Sequence, residues 1–141
     1  MKEQTHLVLE DFALTPDREK LQLLLEYSEK LPALPEKYGE HPELLEKVEE
    51  CQSPVFVAIE GDSQSVQLIF SAPREAPTTR GFASVLHSAL NGLDAESILN
   101  TSDDFPTMLG LDKLISPLRV RGIRGMLFRI KRKVRELIAE G

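Results

Sequence analysis

Glu49-Glu50-Cys51-Gln52-Ser53-Pro54-Val55-Phe56-Val57-Ala58-Ile59 sets the only cysteine of a 141-residue chain directly ahead of a β-strand. Val55, Val57 and Ile59 alternate with Phe56, Ala58 and Glu60. Beyond Gly61-Asp62-Ser63-Gln64, Val66, Leu68 and Phe70 alternate with Gln67 and Ile69. That period of two predicts a hairpin with a four-residue connection. Two strands alone are marginal in water, so the hairpin needs helices on a face or a third strand. The cysteine lies on the approach to this hairpin, outside its apolar run. A lone thiol can act as nucleophile or carrier, but it cannot form an internal disulfide, a CxxC redox pair or a cluster site wanting about four thiolates.

Helices are predicted on both sides of the hairpin. Met1 to Leu14 has no clear period and reads as a loose arm. Thr15-Pro16-Asp17 predicts a helix start, with Thr15 as N-cap and Pro16 at the first helical position. Leu21, Leu24, Leu25, Ser28 and Leu31 then follow helical spacing until Pro32 and Pro35 end it. Leu44, Leu45 and Val48 read as a short helical stretch or an irregular approach to Cys51. Arg80 to Leu90 predicts a helix with Phe82, Val85, Leu86 and Ala89 on one side, ending at Asn91-Gly92. Asp94 can cap a short helix through Leu99, and Ser102 or Asp103 another ending at Gly110. Ser116-Pro117 opens the longest helix, where Ile123, Met126, Leu127, Ile130, Val134, Leu137 and Ile138 keep a 3.6 period. Gly122 and Gly125 weaken its first turns by about 1 kcal/mol each relative to Ala, unless a neighbour packs closely there. The order of helix, hairpin and helices gives an α+β fold in a single domain over 1–141, a small antiparallel sheet packed on several helices.

Composition narrows the function. Hydrophobic content of 41% with 28% charged residues is ordinary for a soluble domain, and no apolar run approaches the ~20 residues of a membrane span. The first residues resemble neither a signal peptide nor a transit segment, which leads to the expectation of a cytoplasmic protein. The net charge of -6 conceals an asymmetry: residues 117–141 carry eight bases against two acids, net +6. The absence of Trp and the acidic remainder argue against a dedicated nucleic-acid binder, so a solvated or internally paired helix face is expected. His6, His41 and His87 are scattered without metal-ligand spacing, and no metal site is indicated.

Taken in order, Leu31-Pro32-Ala33-Leu34-Pro35, Cys51-Gln52-Ser53 with its following strand, Arg80-Gly81-Phe82, Ala89-Leu90-Asn91-Gly92 and Ser116-Pro117-Leu118-Arg119 resemble the SufE family over about Thr15 to Ala139. The resemblance implies a SufE/IscU-like fold and a carrier of persulfide sulfur. In that role Cys51 takes sulfur from a cysteine desulfurase (SufS-like), stimulates it, and delivers the sulfur to an iron-sulfur scaffold (SufB-like). Pyridoxal phosphate belongs to the desulfurase, so no cofactor is implied on this chain. Arg119 falls on the arginine of the family's Ser-Pro-x-Arg word and Glu75 near an acidic position ahead of Arg80-Gly81. With Gln52 they are the expected supporting residues around Cys51.

Only a thiolate attacks sulfur, and an ordinary cysteine near pKa ~8.5 is a few per cent ionised at neutral pH. The chain departs from the family pattern at Glu50, where Gly is usual, at Pro54, where a hydrogen-bonding residue is usual, and at Phe56, where Trp is common. The charge of Glu50 beside the thiol is expected to raise the cysteine pKa. These departures leave the fold intact and bear on the efficiency and partner of sulfur transfer. A Cys-His hydrolase dyad has no local signature here, and a cluster scaffold would need more thiolates than the chain offers. The stronger alternative is a SufE-like module that docks on a desulfurase and modulates it without carrying sulfur.

Overall fold

The computed structural model describes residues 1 to 140 and has an α+β architecture of seven helices and one three-stranded antiparallel sheet. β2 (Phe56–Asp62) and β3 (Ser65–Ser71) form the hairpin, paired from Phe56↔Ser71 to Asp62↔Ser65. The turn holds two residues rather than four. Asp62 is what tightens it, because its Oδ1 accepts from the N–H groups of Gln64 (2.9 Å) and Ser65 (3.1 Å), so pairing continues to the turn itself. The third strand is β1 (Glu46–Lys47), paired as Glu46↔Val57 and Lys47↔Phe56. It replaces the helical reading of Leu44 to Val48, of which only a 3-10 turn over Pro42–Leu44 remains. Two residues of strand carry no period, and only the partner strand identifies them.

The first segment is a helix and not an arm. α1 (Glu3–Leu14) buries Thr5, Val8 and Phe12 along one side. Thr5 Oγ1 donates to the carbonyl of Ala89 at 2.8 Å, and the Phe12 ring stacks on Tyr27 at 5.6 Å. A buried threonine and exposed Leu7 and Leu14 blur the apolar stripe, which is why periodicity does not reveal it. The boundary to α2 (Asp17–Ser28) shifts accordingly. Thr15 closes α1, its hydroxyl donating to the carbonyl of Asp11 at 2.8 Å, and Pro16 occupies the N-cap position of α2. A short α3 (Glu36–Glu40) follows the Pro32 and Pro35 break.

α4 (Pro77–Leu90) is the central helix, packed on α1, α2, β3 and the last helix. Its burial extends almost all round, from Gly81-Phe82-Ala83-Ser84-Val85-Leu86 to Ala89-Leu90. Gly81 is what lets α2 approach: a Cβ there would lie 2.5 Å from the carbonyl oxygen of Leu24. The end of α4 also covers the outer edge of β3. Asn91 Oδ1 accepts from Leu68 N–H at 2.7 Å, and Gly92, at φ +85°, donates its N–H to Val66 O at 2.7 Å. An edge left open would be a template for unwanted pairing.

α5 (Ala95–Leu99) is capped by Asp94, which accepts from Ser97 N–H at 3.2 Å. α6 (Phe105–Met108) is shorter than expected, and neither Ser102 nor Asp103 caps it; Asp104 is its N-cap residue, and the Ser102 hydroxyl accepts from Asp104 N–H instead. α7 (Pro117–Glu140), the longest helix at 24 residues, has Ile123, Met126, Leu127, Ile130 and Val134 buried. Its bases are largely paired internally. Lys131 reaches Asp103 at 2.8 Å and the Thr101 carbonyl, Arg132 and Lys133 reach Glu46, and Arg129 reaches Glu46 and Glu50. Attraction to the acidic body of the same chain accounts for most of the basic patch.

Gly81→Ala is expected to destabilise the protein by about 2 kcal/mol, because overpacking against backbone outweighs the helix propensity that Ala gains. Urea unfolding should show a lower midpoint at unchanged slope; an unchanged midpoint would mean that α2 and α4 can part without cost.

Candidate functional site

Cys51 is placed by three elements. β1 brings the chain to Val48, whose N–H donates to Val55 O at 2.8 Å, and a tight turn through Glu49-Glu50 follows, closed by Cys51 N–H donating to Val48 O at 3.1 Å. α7 forms the floor beneath that turn. Sγ lies 3.6 Å from the carbonyl oxygen of Gly122, to which the thiol can donate. A Cβ at Gly122 would lie 3.1 Å from Sγ, and one at Gly125 would lie 2.7 Å from the Glu50 carboxyl carbon. The two glycines that look like weak points of the helix are therefore the places where the cysteine turn rests on it. Helix propensity is given up for close approach.

The thiol opens into a cleft of about 260 Å³ formed between the Cys51 segment, the start of α4 and the start of α7. Gln52, Glu75 and Arg119 all line this cleft with Cys51, and Phe82 and Met126 supply apolar wall. The four residues singled out in the sequence thus come together, although Cys51 and Gln52 precede the hairpin, Glu75 follows it and Arg119 belongs to the last helix. Arg119 is exposed, and among the described residues it forms no ion pair with a carboxylate; its backbone N–H donates to the carbonyl and hydroxyl oxygens of Ser116 at the start of α7. Glu75 is exposed in the loop ahead of α4.

Burial pushes the Cys51 thiol up to about 11, with the negative charge of Glu50 adding to the effect and Arg129 opposing it. The direction expected from Glu50 is present, but loss of water around the sulfur is the larger cause. At rest the group is a half-buried, protonated thiol. Chemistry at sulfur requires that this state be left.

Sequence reasoning misses three residues of the site. Gly122 and Gly125 stand out only as weak helix formers, and Arg129 is one base among eight. Arg129 Nη2 lies 3.0 Å from Glu50 Oε1, while its Nε donates to the carbonyl oxygen of Lys47 at 3.0 Å. The spacing 122, 125, 129 puts all three on one helix face, so that much is legible; what the face meets is not. Among the described residues there is no group of three or more His, Cys, Asp or Glu side chains that could hold a metal ion, and no helix long and apolar enough to cross a membrane.

Fold and site together define a small α+β protein with a single half-buried thiol at a cleft. The sequence profile of the SufE family, described as an Fe-S metabolism associated domain, matches residues 6–134. An uncharacterized SufE-like protein of Mycobacterium tuberculosis is 52% identical over 130 residues, covering 92% of this chain and 90% of that protein. SufE-like protein 1, chloroplastic/mitochondrial, of Arabidopsis thaliana is 33% identical over 95 residues, covering 67% of this chain and 25% of that protein. The solution structure of a hypothetical protein from Thermus thermophilus superposes with a TM-score of 0.83 at 36% identity, covering 96% of each chain. The chain belongs to the SufE family, which places it in iron-sulfur metabolism and implies interaction with a cysteine desulfurase.

In the free protein, alkylation of Cys51 by iodoacetamide is expected to be slow at pH 7 and to keep rising about tenfold per pH unit beyond pH 9, where an ordinary thiol levels off. A raised thiol pKa also means that the unfolded chain ionises first, so stability is full below about pH 8.5 and falls as pH climbs toward 11. An alkylation profile that levels off near pH 9 would show that the sulfur is solvated.

Proposed function

We propose that the protein is a sulfur carrier that accepts persulfide sulfur from a cysteine desulfurase onto Cys51 and delivers it to iron-sulfur cluster assembly in the cytoplasm. The observation that carries this reading is the convergence of Cys51, Gln52, Glu75 and Arg119 on one cleft. The apolar wall that Phe82 and Met126 give the cleft would shield a persulfide on Cys51 from water. The Cys51 thiolate attacks the outer sulfur of the donor's R-S-SH. A new S–S bond forms, the donor's S–S bond breaks, the donor leaves as its thiolate, and the proton stays on the transferred sulfur as Cys51-S-SH. No net oxidation occurs, so no redox cofactor is required on this chain. Pyridoxal phosphate, which extracts sulfur from free cysteine, belongs to the desulfurase, and a SufB-like scaffold is the downstream acceptor. Arg119, which among the described residues pairs with no carboxylate, lines the cleft with its charge available to an incoming anionic sulfur, and Glu75 and Gln52 complete the rim.

A second reading, a module that docks on the desulfurase and modulates it without carrying sulfur, draws support from the protonated state of the buried thiol. Intact mass after incubation with a desulfurase, pyridoxal phosphate and free cysteine separates the two. The carrier gains one sulfur, ~32 Da and removable by reductant, and Cys51→Ser does not. No gain, together with stimulation of the desulfurase that survives Cys51→Ser, would replace the carrier with the docking module.

A further inference from the structure

The turn that presents Cys51 is held at both ends by one side chain of α7. Arg129 donates from Nε to the carbonyl oxygen of Lys47, the last residue of β1, at 3.0 Å. Its Nη2 lies 3.0 Å from Oε1 of Glu50, the residue immediately before the cysteine. Between these anchors lie only Val48 and Glu49. The guanidinium is mostly out of water, its side chain 13% exposed against 24% for Glu50, so the pair is screened less than a surface ion pair. Glu46 adds a second carboxylate at 3.5 Å from Nε and is itself held by Arg132 and Lys133.

The pairing with Glu50 is close but imperfect. Oε1 is buried, yet among the described residues it finds no hydrogen-bond partner of acceptable alignment. The same carboxylate is seated over Gly125, where even a methyl group would collide with it. A contact that is buried, charged and poorly aligned holds the turn while leaving it able to open, because water can satisfy both charges once they part.

We propose that Arg129 is a positioning residue that clasps the Lys47–Glu50 turn to α7 and keeps the Cys51 thiol turned into its cleft, so that the clasp, by opening, sets how much thiol a donor can reach. The inference concerns the thiol used in the proposed sulfur relay and gains its biological meaning from that reading. Its physical content is separate, since it is a statement about accessibility. The charged groups around the sulfur are Glu50 on its own segment, Arg129 and Arg119 on α7, and Glu75 ahead of α4.

Charge and clasp make opposite predictions for one substitution. Arg129→Met removes the positive charge that opposes the effect of Glu50 on the thiol. If charge alone mattered, the thiol would ionise less and alkylate more slowly. If Arg129 is the clasp, the turn opens more often and iodoacetamide at pH 8 reacts about tenfold faster, the scale set by loss of one charged hydrogen bond. Arg129→Lys, which keeps the charge and can reach Glu50, is expected to restore much of the slow reaction. Glu50→Gln preserves the size of the side chain and offers a second reading should Arg129→Met fold poorly. In that variant, hydrogen exchange at the Cys51 amide, which is bonded to Val48 O in the closed turn, should accelerate about tenfold irrespective of thiol ionisation. Alkylation of a folded Arg129→Met protein that is unchanged or slower, or exchange in Glu50→Gln that is unchanged, would overturn the clasp. Persulfide loading measured on the same proteins reads the relay separately: a clasp that behaves as described in a protein that never gains sulfur would refute the relay and keep the clasp.

Discussion

The close approach of the cysteine turn to α7 is the constraint on which the site depends. Gly122 leaves room for the sulfur and Gly125 for the Glu50 side chain. Cβ atoms in their place would push the turn outward, open the cleft and hydrate the thiol. The cost is borne by the helix, since each glycine lowers helix propensity by about 1 kcal/mol relative to Ala. A 24-residue helix with a continuous buried stripe can carry that cost, because tertiary packing supplies most of the stability of such a helix.

That stripe depends in turn on α4. Buried nearly all round, α4 touches both the sheet and the other long helices, and its two ends do different things. Its first residues line the cysteine cleft, while Asn91 and Gly92 at its far end bond to the outer edge of β3. The site and the closed sheet edge are thus two ends of one rigid body. A shift of α4 along its axis would disturb both.

Electrostatics arranges the periphery. The acidic body and the basic last helix attract each other, and the ion pairs concentrate where β1 and the cysteine turn meet α7. Glu46 alone is approached by Arg129, Arg132 and Lys133. Burial by itself would raise its carboxyl, but Arg132 and Lys133 together hold it below the usual carboxylate range. This cluster gives a two-residue strand, too short to be stable by ladder bonds alone, an anchor on the helix. It also explains why a segment with a net charge of +6 need not seek an external polyanion.

The sequence by itself determined the α+β class, the hairpin, the central and final helices and the lone thiol ahead of a strand, because those features repeat at periods of 2 and 3.6 or rest on a count of one. It also carried the family resemblance, and with it Gln52, Glu75 and Arg119 as neighbours of Cys51. Only the tertiary structure decided that Met1 to Leu14 contains a packed helix, since three buried residues, one of them Thr5, make too sparse a stripe to stand out from exposed leucines. The same holds for β1, where two residues have no period and the pairing partner supplies the definition. The Glu50 effect on the Cys51 thiol was legible in the sequence, but the burial that raises it further and the grip of Arg129 on its turn were not. Both arise from contacts between segments some seventy to eighty residues apart, and desolvation and ion pairing exist only once those segments share a space from which water has been excluded.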